Sequence, residues 1–283
     1  MKKIYERLIV FFIGFPAILA VVVFFPQLNH LFLNIMVIVF SVLGAIEFRN
    51  ILSHKNLLIS LPETIILGAI SPAAITLVVS FGVDGHIVGA VLILGAAWLI
   101  VSRIFTTQEK IDSCVEKAVA GFAVMIYPGL FMAWIIPMAV LQYASMVILV
   151  LFLMALLNDA AAWVTGMLFG KNNRGLILVS PKKSIAGFIG GLASSVGLGI
   201  LAVIFIPRAF NSAVMASIPA GILLGLFTGI AAILGDLGES ALKRSAGVKD
   251  SGSLIMGRGG ILDSIDSLAL AAPVYYLAYM VLF

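Results

Sequence analysis

Asp236, Glu239, Ser240 and Lys243 stand at spacings i, i+3, i+4 and i+7. On a helix that spacing puts two carboxylates, a hydroxyl and an ammonium on one face. Asp263, Asp266 and Ser267 repeat the pattern at i, i+3 and i+4. Between the two sets lie Lys243-Arg244, Lys249-Asp250 and the turn Gly257-Arg258-Gly259-Gly260. Carboxylates on two helices, with no histidine or thiol beside them, suit a hard cation such as Mg²⁺. Lysines and arginines suit phosphate oxygens, Arg as a bidentate fork and Lys as a point charge. Glycines ahead of a helix let backbone N–H groups approach an anion. Metal, cations and positioning are what phosphoryl or nucleotidyl transfer requires.

A second group lies upstream. Asn158-Asp159 ends a long apolar run, where a carboxylate has no anchoring use, so a partner or ligand is expected for Asp159. Ser180-Pro181-Lys182-Lys183-Ser184 then puts two ammonium groups beside a helix start. Glu47 and Arg49 close an earlier apolar segment and read as solvated helix-end charges. His30, His54 and His86 are scattered and give no metal-ligand spacing. Tyr275, Tyr276 and Tyr279 read as packing or interfacial aromatics.

These residues sit in an unusual background. Hydrophobic residues make up 62% of the 283 and charged residues only 11%, with mean hydropathy +1.20. A soluble domain carries about 25% charged residues, so a polytopic helical membrane protein is expected. Nine of the thirty charged residues fall between Gly235 and Asp266, between long apolar stretches. The single cysteine, Cys114, excludes an internal disulfide framework and a multi-cysteine metal site.

Apolar runs long enough to span are expected at Leu8–Phe25, Leu31–Leu52, Thr64–Phe81, His86–Ser102, Ala118–Val140, Ala144–Phe169, Ile185–Ile206, Ala213–Leu234 and Ile261–Phe283. The fold class is therefore all-α, with about nine transmembrane helices. Pro128 and Pro137 are expected to kink or split the fifth. With the N-terminus cytoplasmic, sixteen of the seventeen basic residues fall on the inner side, all but Arg208, and the C-terminus lies outside. This segregation accounts for the net charge of +4 without nucleic acid. Residues 1–141 read as a helical scaffold, with a homodimer contact there left open, and residues 142–283 as the region carrying a cytoplasmic-face site.

The run Ser240-x-x-Lys243-Arg244, Lys249-Asp250, Gly257-x-Gly259-Gly260-x-x-Asp263-x-x-Asp266 resembles the signature of phosphatidate cytidylyltransferases, or CDP-diacylglycerol synthases. Gly235-Asp236-Leu237, Asp159, Phe169-Gly170-Lys171 and Ser180-Pro181-Lys182-Lys183 match further pieces of it, and the likeness covers essentially the whole chain. The chain departs from the family at Arg258 (usually His), Met256 (usually Pro), Ser264 (usually Arg) and Ala186 (usually Glu).

The resemblance implies transfer of a cytidylyl group from CTP to phosphatidate in a bacterial inner membrane, with Mg²⁺ as cofactor. It implies Asp236 and Asp263 as metal ligands and Asp236, Lys243, Arg244, Asp263 and Asp266 as the catalytic set. Asp159, Ser180, Lys182, Lys183, Ser240, Lys249, Asp250, Arg258, Gly259 and Gly260 would bind substrate. The alternatives are a CTP-dependent enzyme acting on another lipid or polyprenol, and a membrane transporter. Against the transporter, no internal repeat is evident and the charges gather at one face.

Overall fold

A computed structural model describes residues 13–104, 108–211, 217–255, 257 and 259–283. Lys2, Lys3, Arg7, Arg258, the side chain of Lys110, and the first residues of the first and eighth expected spans (8–12 and 213–216) lie outside the described residues. The helices are α1 (Phe15–Phe24), α2 (Gln27–Ser53), α3 (Leu61–Phe81), α4 (His86–Val101), α5 (Cys114–Val124), α6 (Ala144–Phe169), α7 (Ile185–Phe205), α8 (Ser217–Ser245) and α9 (Leu262–Leu282). Among the described residues there is no strand, only isolated bridges pairing Arg174 with Ser184 and Ile255 with Gly259.

Seven helical stretches among the described residues are long and apolar enough to cross a membrane: α2, α3, Ile111–Val140, α6, α7, α8 and α9. The protein is thus an all-helical, multi-pass membrane protein. The count of nine is not reached among the described residues: α4 has 16 residues, which at about 1.5 Å per residue falls short of a bilayer core of about 30 Å, and α1 has 10, with residues 8–12 of that expected span outside the described residues. The prolines act as expected on the fifth segment. Pro128 sits in a π-helical turn, Met125–Phe131, and Pro137 in a 3₁₀ turn, Ile136–Val140, because proline cannot donate the α-helical hydrogen bond.

Element ends follow local chemistry. Ser60 caps α3, its hydroxyl accepting from the Glu63 N–H at 3.3 Å, and Gly82 ends the helix in the left-handed conformation. Ser184 caps α7 by accepting from the Gly187 N–H at 3.1 Å. At the start of α2, Leu28, Asn29 and His30 are left-handed, so the regular helix begins where the apolar run does, at Leu31.

The chain divides into two compact units: residues 1–139 with 245–264, and residues 140–244 with 265–283. In the first, α2 packs on α3 around Gly68, where a Cβ would stand 2.7 Å from that of Ala45. In the second, α7 and α8 meet at backbone distance along Gly199, Gly221 and Gly225. A Cβ on Gly225 would lie 2.3 Å from the Ser195 carbonyl oxygen and 2.6 Å from the Val196 Cα. Small residues drive such association because lipid already solvates apolar side chains, leaving close packing as the attraction. Asn158 of α6 joins them, donating from Nδ2 to the Ser195 Oγ at 2.9 Å. The buried Tyr275 of α9 donates to the Val147 carbonyl at 2.8 Å and stacks on Tyr279, a packing role as expected.

Because the atoms opposing Gly225 are backbone, nothing flexible can yield. Gly225→Val should cost about 1–3 kcal/mol, read as a lower thermal midpoint of the detergent-solubilised protein. Gly197→Ala, on α7 with nothing within 4 Å of the added Cβ, should leave the midpoint unchanged or raise it slightly.

Candidate functional site

In the second unit four carboxylates and two ammonium groups come together. Asp236 and Glu239 lie one turn apart on α8, as their spacing requires. Lys183, in the loop just ahead of the α7 cap, forms an ion pair with Asp236, both side chains about a quarter exposed (27% and 28%). Lys243 turns back along α8 to pair with Glu239, and both are buried. Asp266 of α9 is buried as well, and Asp236, Glu239 and Asp159 lie close enough to act on its charge. Its Oδ1 accepts from the Ser267 N–H at 2.6 Å. The Ser267 hydroxyl reaches the Asp159 carboxylate at 3.3 Å, which supplies the partner expected for Asp159.

Gly235 brings the acids of α8 and α9 near one another. A Cβ there would fall 2.4 Å from the Asp266 carbonyl oxygen, so only glycine lets the two helices touch at this level. The remaining sequence candidates of this unit flank the cluster in the chain. Lys182 and Arg244 are exposed, while Ser180 and Ser240 are half-buried.

The first unit holds a different arrangement around Glu47. Expected to be solvated at a helix end, Glu47 is only 5% exposed. Its Oε2 accepts from the Ser251 hydroxyl at 2.9 Å and the Leu262 N–H at 2.8 Å, and its Oε1 from the Ile261 N–H at 3.0 Å. Helix-end solvation is therefore replaced by a long-range cap, because a buried carboxylate needs donors and the N-terminus of α9 offers unused N–H groups. The backbone wraps the carboxylate closely. A Cβ on Gly260 would stand 2.2 Å from the Glu47 Oε2, and one on Gly252 2.5 Å from Oε1. Arg49, by contrast, ties the following loop, donating from Nε to the Ile59 carbonyl at 2.8 Å.

Asp263 belongs to the same network. Its Oδ2 accepts from the N–H groups of Ser251 (2.9 Å) and Gly260 (2.7 Å), while its own N–H donates to the Ser251 Oγ at 3.3 Å. In the turn, the Gly260 N–H thus meets the protein's own Asp263 carboxylate, while the Gly259 N–H donates to the Ile255 carbonyl at 3.1 Å. Gly259 (φ +115°) and Gly257 (φ +74°) supply left-handed conformations that other residues rarely adopt. Lys249 and Asp250 are exposed beside this turn in the chain.

Sequence reasoning missed Glu47 and Ser251. The available signal was a carboxylate six residues inside the end of an apolar helix, deeper than an interfacial charge needs to be. It also assigned Glu239 no role, although its helical face was evident.

The carboxylate oxygens present are hard donors, the kind that suits a divalent cation such as Mg²⁺. Among the described residues no three His, Cys, Asp or Glu side chains stand together as a protein-only metal cage. Mg²⁺ at nucleotide sites uses one or two carboxylates and completes its shell with phosphates and water, so such a cage is not required.

Comparison with known proteins places these features in a family. The Cytidylyltransferase family matches residues 5–282. Similar curated relatives include the phosphatidate cytidylyltransferases of Synechocystis sp. (42% identical over 125 residues, 44% of this chain and 40% of the relative) and Haemophilus influenzae (42% over 133 residues, 47% and 45%). That of Thermotoga maritima is 36% identical over 179 residues, 62% of this chain and 64% of the relative. In these three the match spans 40 to 64% of the relative's length. With α8, the glycine turn and α9 all inside the matched residues, the chain belongs to the cytidylyltransferase family.

Proposed function

We propose that the protein transfers a cytidylyl group from CTP to phosphatidate, giving CDP-diacylglycerol and pyrophosphate. The observation that carries this is the paired acid and base cluster of α8, α9 and the Lys183 loop, in a chain matched by the family from residue 5 to residue 282. The names of the relatives support the substrate, and their bacterial sources together with the apolar helices agree with a bacterial membrane, which we take to be the inner one. The segregation of basic residues supports a cytoplasmic N-terminus and a site on that side, and nine crossings would put the C-terminus outside.

The chemistry asks little of a general base. A phosphate monoester is anionic near neutral pH, with a second pKa of about 6. One of its oxygens forms the new bond to the α-phosphorus of CTP, the bond to the β-phosphate oxygen breaks, and pyrophosphate carries away the electron pair. The obstacle is repulsion between two polyanions. Preorganised cationic groups relieve it best where water is scarce, and Lys183 and Lys243 are held that way by their carboxylates. When the triphosphate enters, Lys183 would exchange part of its contact with Asp236 for phosphate oxygens. Arg244, Lys249 and Lys182 would meet the nucleotide from water, and Ser180, Ser240, Asp250 and Arg258 would contribute to substrate binding. In this reading Asp236 and Asp263 would hold Mg²⁺, which would supply charge neutralisation and alignment of the phosphates.

Purified protein in detergent with CTP, phosphatidate and Mg²⁺ should yield CDP-lipid and pyrophosphate, identified by mass. Release of CDP instead would mark a lipid kinase. Chelation with EDTA should stop the reaction and excess Mg²⁺ restore it. Asp263→Asn should lower turnover at least a hundredfold with expression intact, and full activity there would remove Asp263 from the mechanism.

Lys183→Met should slow turnover at least tenfold, because it also leaves Asp236 without its cation. Lys182→Met, at an exposed position, should change kcat less than threefold. Equal effects in steady-state assays would dissolve this distinction.

A further inference from the structure

Glu47 lies 204 residues before Ser251 and 216 before Asp263 in the chain, yet its carboxylate is hydrogen-bonded to Ser251 and, through Ser251, linked to Asp263. The Ser251 hydroxyl donates to Glu47 Oε2 (2.9 Å), and the same oxygen atom of Ser251 accepts from the Asp263 N–H (3.3 Å). The Ser251 N–H returns to Asp263 Oδ2 (2.9 Å), which closes a reciprocal pair of the kind that fixes a helix start. Glu47 also takes the Ile261 and Leu262 N–H groups, so the first turn of α9 and the Ser251 loop are held by one buried charge. Gly252 and Gly260 are the positions where a side chain would collide with that carboxylate. A solvated helix-end residue would need none of this.

We propose that Glu47 is a positioning residue: through Ser251 and the first turn of α9 it fixes the orientation of the Asp263 carboxylate for the transfer reaction. This rests on the role given to Asp263 under the proposed function. Charge and geometry both contribute. A carboxylate offers acceptor oxygens on both sides to three donors, and its negative charge suits the N-terminal end of a helix. Glutamine has nearly the same shape, yet it carries one acceptor oxygen and an NH₂ group. With its oxygen kept toward Ser251 and Leu262, the NH₂ must face the Ile261 N–H, donor against donor. The clamp loosens without a cavity being made.

The test uses the full chain in detergent. Glu47→Gln should lower kcat about tenfold and raise the Mg²⁺ concentration giving half-maximal rate, while KM for phosphatidate stays within twofold. A purely structural role would lower the amount of active protein and leave the Mg²⁺ requirement unmoved. Ser251→Ala breaks the same linkage, so the double variant should be no slower than the slower single one. Multiplying effects would mean two separate roles and overturn the proposal. Hydrogen–deuterium exchange supplies a readout independent of turnover. In Glu47→Gln the amides of Ser251 and of residues 260–263 should exchange at least tenfold faster, with those of α3 unchanged. A wild type that turns over no CTP would sink the functional reading alone, and exchange would then decide the clamp. Unchanged exchange, or wild-type kcat and Mg²⁺ dependence in Glu47→Gln, overturns the positioning role.

Discussion

A carboxylate surrounded by apolar helices must find a cation or a set of N–H and O–H donors, because burying it bare costs several kcal/mol. That constraint organises both halves of this protein. In one unit Glu47 is satisfied by three donors from a distant part of the chain. In the other, Asp236 and Glu239 are met by Lys183 and Lys243, and Asp159 by the Ser267 hydroxyl. Apart from the Glu239–Lys243 pair, one turn apart on α8, each solution needs backbone or side chains from elements far apart in sequence. The buried polar groups therefore help determine which helices must meet.

Glycine makes those meetings possible. At Gly235 the absence of a Cβ lets α8 touch α9 where the acids cluster. At Gly252 and Gly260 it lets the chain wrap the Glu47 carboxylate. Along Gly199, Gly221 and Gly225 it brings α7 and α8 to backbone contact. Small residues are thus placed where close approach serves either helix association or a buried charge, and both uses follow from a solvent that supplies no hydrophobic drive and no hydrogen bonds.

The family relation changes the meaning of this polar network. In a transporter, charges of this kind would line a path. In the proposed transfer reaction, ammonium groups already held in place by carboxylates would receive a triphosphate with little reorganisation. The Lys183–Asp236 pair is held between the loop ahead of α7 and the helix α8. Glu47 gives the first unit a buried polar cluster of its own.

The helical, membrane-spanning class was legible in composition, since 62% hydrophobic residues in long runs leave few alternatives. The shared face of Asp236, Glu239 and Lys243 was legible from helical spacing, and the family from the run ending at Asp266. Local rules reach that far because they depend on residues within a few positions of one another. The burial of Glu47, its bonds to Ser251, Ile261 and Leu262, and the choice of Lys183 as the partner of Asp236 were settled by tertiary structure. Those pairings join segments 53 to 215 residues apart, and only helix packing brings such donors and acceptors within 3 Å. Likewise α4 carries an apolar run that suits a span, while its folded length of 16 residues reflects where the chain turns.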